Sequence, residues 1–179
     1  MNSSYYDIDD ILADNQKLPC KFQMTVPGLG YLEGNPGKPL RKNSKLELPL
    51  WLAEVLAIIP IDETSEDSFI ELVQPEYFSN RVINAIKTNS KTLDLHSIST
   101  YYYKLAIKWC AMFKDKELAE VISEMLKDRS SEINDFATNS KNGNSSGSHD
   151  FILSLDEFEK KLFKLSHDSN RNFKNWIQQ

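Results

Sequence analysis

The sequence predicts an α+β fold, mainly α: a small N-terminal β-rich unit followed by a helical bundle domain of about four to five helices. Three observations predict it. Short runs of period-two alternation, broken by turn residues, fill residues 1–48, which hold four of the six glycines and four of the seven prolines. Residues 50–59 form an almost unbroken apolar run between Pro49 and Pro60. From Pro75 onward, apolar residues recur at helical spacing. The expected segments are 1–48 (β-rich), 49–68 (apolar helix and acidic connector) and 69–179 (helical, with a flexible low-complexity loop at 139–149).

In chain order, residues 5–13 predict a short helix with Ile8, Ile11 and Leu12 on one face and Asp7 or Asp9 as cap. Cys20, Phe22, Met24 and Val26 alternate with polar residues, which predicts a half-buried strand over 17–26. Pro27 to Gly30 reads as a turn, Tyr31, Leu32 and Glu33 as a short return strand, and 34–39 as a second turn. Lys45, Leu46, Glu47 and Leu48 alternate again. A sheet this small needs something to pack on.

Pro49 suits the first turn of a helix, and Pro60 stops it. Between them Glu54 is the only charge, so the helix is apolar nearly all round and needs cover on most sides. It is either an ordinary core helix or a hinge element wedged between the two parts of the chain. It is well short of the ~20 residues a membrane span requires.

The acidic stretch 61–68 reads as a connector, and 69–73 as a short strand or an extended lead-in. Pro75 opens a helix to about Thr88 with Phe78, Val82, Ile83 and Ile86 inward. A second heavily apolar helix spans 98–113, where Lys104 and Lys108 mark the wet stripe. Asp115 caps a long helix to about Ser140, with Leu118, Val121, Ile122, Met125, Leu126, Ile133 and Phe136 inward. Ser154 and Glu157 have the spacing of a capping box. The helix they open carries Leu155, Phe158, Leu162, Leu165, Phe173, Trp176 and Ile177, but its middle, 166–172, is polar. That gap predicts a helix that leaves the core partway or meets a polar partner.

With 26 acids against 21 bases the net charge is −5, which argues against a protein whose main task is gripping phosphate backbones. The two cysteines, Cys20 and Cys110, fall in different elements and read as reduced thiols. The N-terminus lacks the pattern of a signal peptide. The acidic cluster Asp7, Asp9, Asp10 lacks the glycine and polar position of a calcium loop. Gly28, Gly30 and Gly34 miss the dinucleotide spacing, and no phosphate-cradling loop occurs. His96, His149 and His167 have no metal-ligand spacing with each other or with the cysteines. Adjacent helical positions splay His167 and Asp168 about 100° apart. No nucleophile or base with an orienting partner stands out, so neither catalysis nor a cofactor is expected.

Apolar and aromatic residues are what the chain has in excess. Leu50, Trp51, Leu52, Tyr101, Tyr102, Tyr103, Trp109, Phe158 and Trp176 are candidate partner-interface or core anchors. Two nearly all-apolar helices call for more cover than the remaining elements supply. The alternatives are a helical adaptor of another assembly, a weak single-stranded nucleic-acid-binding module and an unrecognised hydrolase. A nucleic-acid binder would need a basic face with interleaved aromatics.

Separated blocks stand out along the chain: residues 6–13 (YDIDDILA), 18–21 (LPCK), 27–30 (PGLG), 44–53 (SKLELPLWLA), 94–96 (DLH) and 104–109 (KLAIKW). In this order they resemble the GINS family, in its PSF-three branch. The resemblance spans most of the chain and fades at 61–68 and 139–149. It implies a subunit of a heterotetramer with a small β-rich B domain ahead of a helical A domain. Its partners would be three other GINS subunits, and the MCM ring and its accessory factor in the CMG replicative helicase that starts and extends DNA replication in the nucleus. It further implies no ATPase of its own, only indirect or weak DNA contact, no membrane and no small-molecule substrate.

Overall fold

The computed structural model describes residues 6–61, 67–139 and 146–178. Most of the acidic connector and of the loop expected at 139–149 lies outside the described residues. The chain divides into two compact units, Met1–Phe78 and Ser79–Gln179. The fold is the predicted one: a small antiparallel sheet at the N-terminus, then helices.

In the first unit, α1 (Ile8–Asp14) is capped by Asp7, whose carboxylate accepts from the Asp9 N–H. Three strands form an antiparallel sheet in the order β2 (Lys45–Pro49), β1 (Lys17–Phe22), β3 (Ile70–Leu72). Alternation sets the buried face: Leu18, Cys20 and Phe22 point inward, paired with Leu48, Leu46 and Ile70. Helix α2 (Leu50–Ile58) packs on all three strands and on α1. Pro49 stands one residue before the helix, and Ile59, held extended before Pro60, ends it. The extended stretch at 69–73 contributes β3, because Gln23 N–H donates to Phe69 O and Val73 N–H to Pro19 O.

Two expectations fail in this unit. Tyr31, Leu32 and Glu33 do not form a return strand; they lie in a 3-10 turn, Gly30–Glu33, closed by Gly34 at φ 75°. The return comes later, where Leu40 bridges Val26 through two N–H···O bonds of 2.9 Å. A tight turn wins here because the Gly30 N–H bonds the Lys38 carbonyl, and a Cβ at Gly30 would collide with the carbonyls of Lys38 and Asn35. The second failure is the length of the strand expected over 17–26: it ends at Phe22, and Val26 meets Leu40 only as an isolated bridge. The shared face of α1 holds, but it is not the covered one. Ile8, Ile11 and Leu12 are exposed, and the buried residue is Ala13. The apolar stripe is real, but the small residue faces the core.

A 3-10 turn (Glu76–Phe78) closes the first unit, and in the second α3 (Asn80–Thr88) begins after Ser79 rather than at Pro75. The single helix expected over 98–113 begins only at Tyr102, as α5 (Tyr102–Phe113), and Ile98 ends a separate short helix, α4 (Leu95–Ile98). Asp94 caps α4, and Ser99 is extended at φ −162°, which breaks the run that hydropathy alone reads as continuous. Asp115 caps α6 (Lys116–Asn139) by accepting from Leu118 N–H at 3.0 Å. α7 spans Ser146–Ser154 and α8 Glu157–Ile177. The Ser154–Glu157 box does not form: Ser154 ends α7 with its hydroxyl on the Phe151 carbonyl, and Asp156 caps α8. α6 pairs with α8, with α5 and with α3.

Candidate partner-binding surfaces

The nine candidate anchors sort cleanly by exposure. Leu50, Tyr102, Tyr103 and Trp109 are buried, while Leu52, Tyr101 and Phe158 are half-buried. Trp51 and Trp176 are exposed at 54% and 71%. The structure therefore divides the set into core residues and surface aromatics, a division that residue type cannot make.

The first exposed apolar face belongs to α1 and α2. Helix α2 buries only Leu50 and Ala53, while Trp51, Val55, Ile58 and Ile59 are exposed. The helix is apolar all round, as read, but the sheet and α1 cover one side only. On α1, Ile8, Ile11 and Leu12 add to the exposed apolar side chains of this unit.

The second lies along the end of α8. Its first turns are held against α5 and α6, and its polar middle still follows α6: Ser166 Oγ donates to Asn134 Oδ1 at 2.7 Å, and Asn170 Nδ2 donates to the Thr138 carbonyl at 3.1 Å. From Arg171 on every described residue is exposed, including Phe173, Trp176 and Ile177, and Leu165 before them is 68% exposed. The sequence gap at 166–172 thus marks where α8 exchanges an apolar seam for a polar one and then runs past its own bundle. On α5 the stripe expected at Lys104 and Lys108 is not the wet one: both lysines are half-buried, while Ile107 and Phe113 are exposed.

What holds α8 against the rest of its own unit is a buried charge cluster that sequence reasoning missed. Arg129 sits on the inward face of α6, with no exposed surface. Its Nε and one terminal nitrogen donate to the two carboxylate oxygens of Glu159 on α8 at 2.7 and 2.8 Å. Its other terminal nitrogen donates to the carbonyls of Ser90, Lys91 and Leu93 at 2.9, 3.3 and 3.0 Å. The Tyr103 hydroxyl donates to Glu159 at 2.8 Å. Asp156, also buried, accepts from the N–H of Glu159 at 2.8 Å and of Tyr103 at 3.3 Å. One cluster ties the segment after α3, the start of α5, α6 and the start of α8.

Burial pushes the Asp156 carboxyl up to about 6, and the neighbouring Glu159 charge adds to this, while the N–H groups of Glu159, Tyr103 and Phe158 pull it back. Burial and the same Glu159 charge hold the Tyr103 hydroxyl far above its ordinary value. Burial works against the Arg129 charge, but the Glu159 carboxylate outweighs it and raises that pKa. Every acceptor of Glu159 faces a donor and none faces solvent, so the cluster serves as an internal lock and offers no path to a substrate. The one sequence signal for it was Arg129 interrupting an inward run at Met125 and Ile133.

The histidines stay apart from this cluster. His96 is exposed with Nδ1 3.3 Å from Lys160 Nζ. His167 and Asp168, predicted to splay, approach to 3.7 Å at the surface because flexible side chains can turn toward each other. The side chain of His149 lies outside the described residues. Cys20 is buried and its thiol is pushed up to about 11 by burial, as fits an inert core position. Among the described residues no helix is long and apolar enough to cross a membrane.

Comparison with known proteins agrees with this architecture unit by unit. Residues 6–58 match the PSF3 N-terminal domain, and residues 77–178 match the GINS complex protein helical bundle domain. The chain is 59% identical over 179 residues to the DNA replication complex GINS protein PSF3 of Debaryomyces hansenii, covering 99% of both chains. It is 49% identical to the protein of that name from Candida albicans, covering 99% of both, and 49% identical to that from Saccharomyces cerevisiae, covering 97% of both.

Proposed function

This chain belongs to the PSF3 branch of the GINS family, and from that premise we propose that it is a non-catalytic structural subunit of the heterotetrameric GINS complex. On this reading it works in the CMG replicative helicase, in the nucleus, during initiation and elongation of DNA replication. Its companions are three sister subunits and, through the assembled complex, the MCM ring and its accessory factor. The β-rich unit takes the part of the B domain and the helical unit that of the A domain.

The observation that carries the reading is the exposed apolar surface on α2 and on the end of α8, centred on Trp51 and Trp176. Surfaces of this kind on a chain rich in charged residues mark sites of association. Among the described residues the one buried charge cluster is saturated by internal donors, which suits a framework.

Co-expression with the three sister subunits tests it. A soluble assembly with one copy of each chain is the expected result, while the chain alone self-associates. A stable monomer that recovers none of the sisters would refute the proposal.

A further inference from the structure

The β-rich unit carries most of its positive charge in one place. Residues 1–78 hold thirteen acids and six bases, and four of those six (Lys38, Arg41, Lys42 and Lys45) fall within residues 38–45 with no acid among them. All four are exposed, and none forms an ion pair within the described residues. Lys21 differs, since it meets Glu71 at 3.4 Å.

The backbone beneath these cations is held at several points. Leu40 is fully buried and doubly bonded to Val26. The Lys38 carbonyl accepts from Gly30 N–H at 3.0 Å, Lys42 N–H donates to Thr25 Oγ1 at 3.2 Å, and Asn43, at φ 69°, donates its N–H to the Phe22 carbonyl at 2.7 Å. Glu33, Asn35, Lys38, Pro39, Arg41 and Ser44 line a concavity of about 460 Å³. The turn leading into it exposes Tyr31 and Leu32 at 59% and 41%.

We infer that this concavity docks an acidic peptide segment of a partner protein. Carboxylates of the peptide pair with Lys38, Arg41, Lys42 and Lys45, and an apolar side chain rests on Tyr31 and Leu32. The Arg41 guanidinium offers the fork that matches a carboxylate. A peptide suits the site better than a nucleic acid for two reasons. Glu33 in the lining can accept a peptide N–H, which a phosphodiester backbone does not offer. One exposed tyrosine makes no stacking row for bases.

The inference does not depend on the subunit reading. The test uses the full-length chain, in its assembly or alone, titrated against a labelled peptide of repeated Glu-Asp-Leu and, separately, an oligo-dT of matched charge. The peptide binds saturably at low salt, and binding weakens as the ionic strength passes about 0.15 M. The triple variant Lys38→Glu/Arg41→Glu/Lys42→Glu raises Kd by about tenfold or more, because like charges now face the peptide. Lys17→Glu changes it little, and Arg41→Gln falls between. Co-purification of the triple variant with the sister subunits reads assembly separately from peptide binding. Absence of saturable peptide binding at low salt, unchanged affinity in the triple variant, or tighter oligo-dT binding that the triple variant abolishes would each overturn the inference.

Discussion

Arg129 and Glu159 form a bidentate ion pair inside the helical unit, at 2.7 and 2.8 Å, with neither side chain exposed. Thirty residues separate them in the chain, and the pair fixes the height of α8 against α6. Removing one partner strands a buried charge. Arg129→Leu or Glu159→Ala is therefore expected to cost about 3–5 kcal/mol, whereas replacing both with apolar residues of similar volume costs much less. Denaturant unfolding of the single and double variants within one background measures the difference. Equal losses in the single and double variants would count against the lock.

Asp156 gives the helical unit a pH dependence of definite sign. Its folded value of about 6 lies above the ordinary 3.8, and burial is the main cause. Its contribution to stability is fully present below the unfolded pKa and is lost as pH rises through about 6. The unit should lose on the order of 2 kcal/mol from this group between about pH 4 and pH 6.5, against the gains from other carboxylates. Asp156→Asn removes the titration, so stability curves of the two proteins should diverge in that window and run parallel above it. Parallel curves throughout would exclude Asp156 as their source.

Trp51 and Leu50 are adjacent in sequence and opposite in consequence. Leu50 is 1% exposed and Trp51 54%. Leu50→Asp should unfold the β-rich unit, because an unpaired charge would enter its core. Trp51→Asp should leave the far-ultraviolet circular dichroism of the full chain intact while co-purification with sister subunits falls at least about tenfold, as at an interface hot spot. Loss of secondary structure in Trp51→Asp would place that ring in the core after all.

Trp176 offers a control at the other surface. At 71% exposure, Trp176→Ala should change the stability of the chain by no more than about 0.5 kcal/mol. Recovery of the assembly should nonetheless fall. Thermal unfolding and co-purification on the same samples separate the two effects.

Lys114 follows α5 in the left-handed region, at φ 53° and ψ 35°. A side chain there costs about 1 kcal/mol or more relative to glycine. Lys114→Gly should raise the melting temperature by a few degrees, and Lys114→Val should lower it, with assembly unchanged.

The sequence by itself determined the order of the parts. Alternation at Cys20 and Phe22, the prolines at 49 and 60, and the cap at Asp115 are local signals, and each acts within a few residues of where it is read. Which side of an apolar helix is covered is not local. Trp51 and Leu50 have the same neighbours in the chain, but the sheet lies under one of them. Ser154 and Asp156 could each cap α8, and only the docking of Tyr103 and Glu159 against Asp156 decided between them. The charge cluster was hidden for the same reason: Arg129 reads as a surface residue until folding brings Glu159, thirty positions away, within hydrogen-bond reach. Short-range patterns set the elements, and burial, which depends on what the rest of the chain places nearby, set the surfaces.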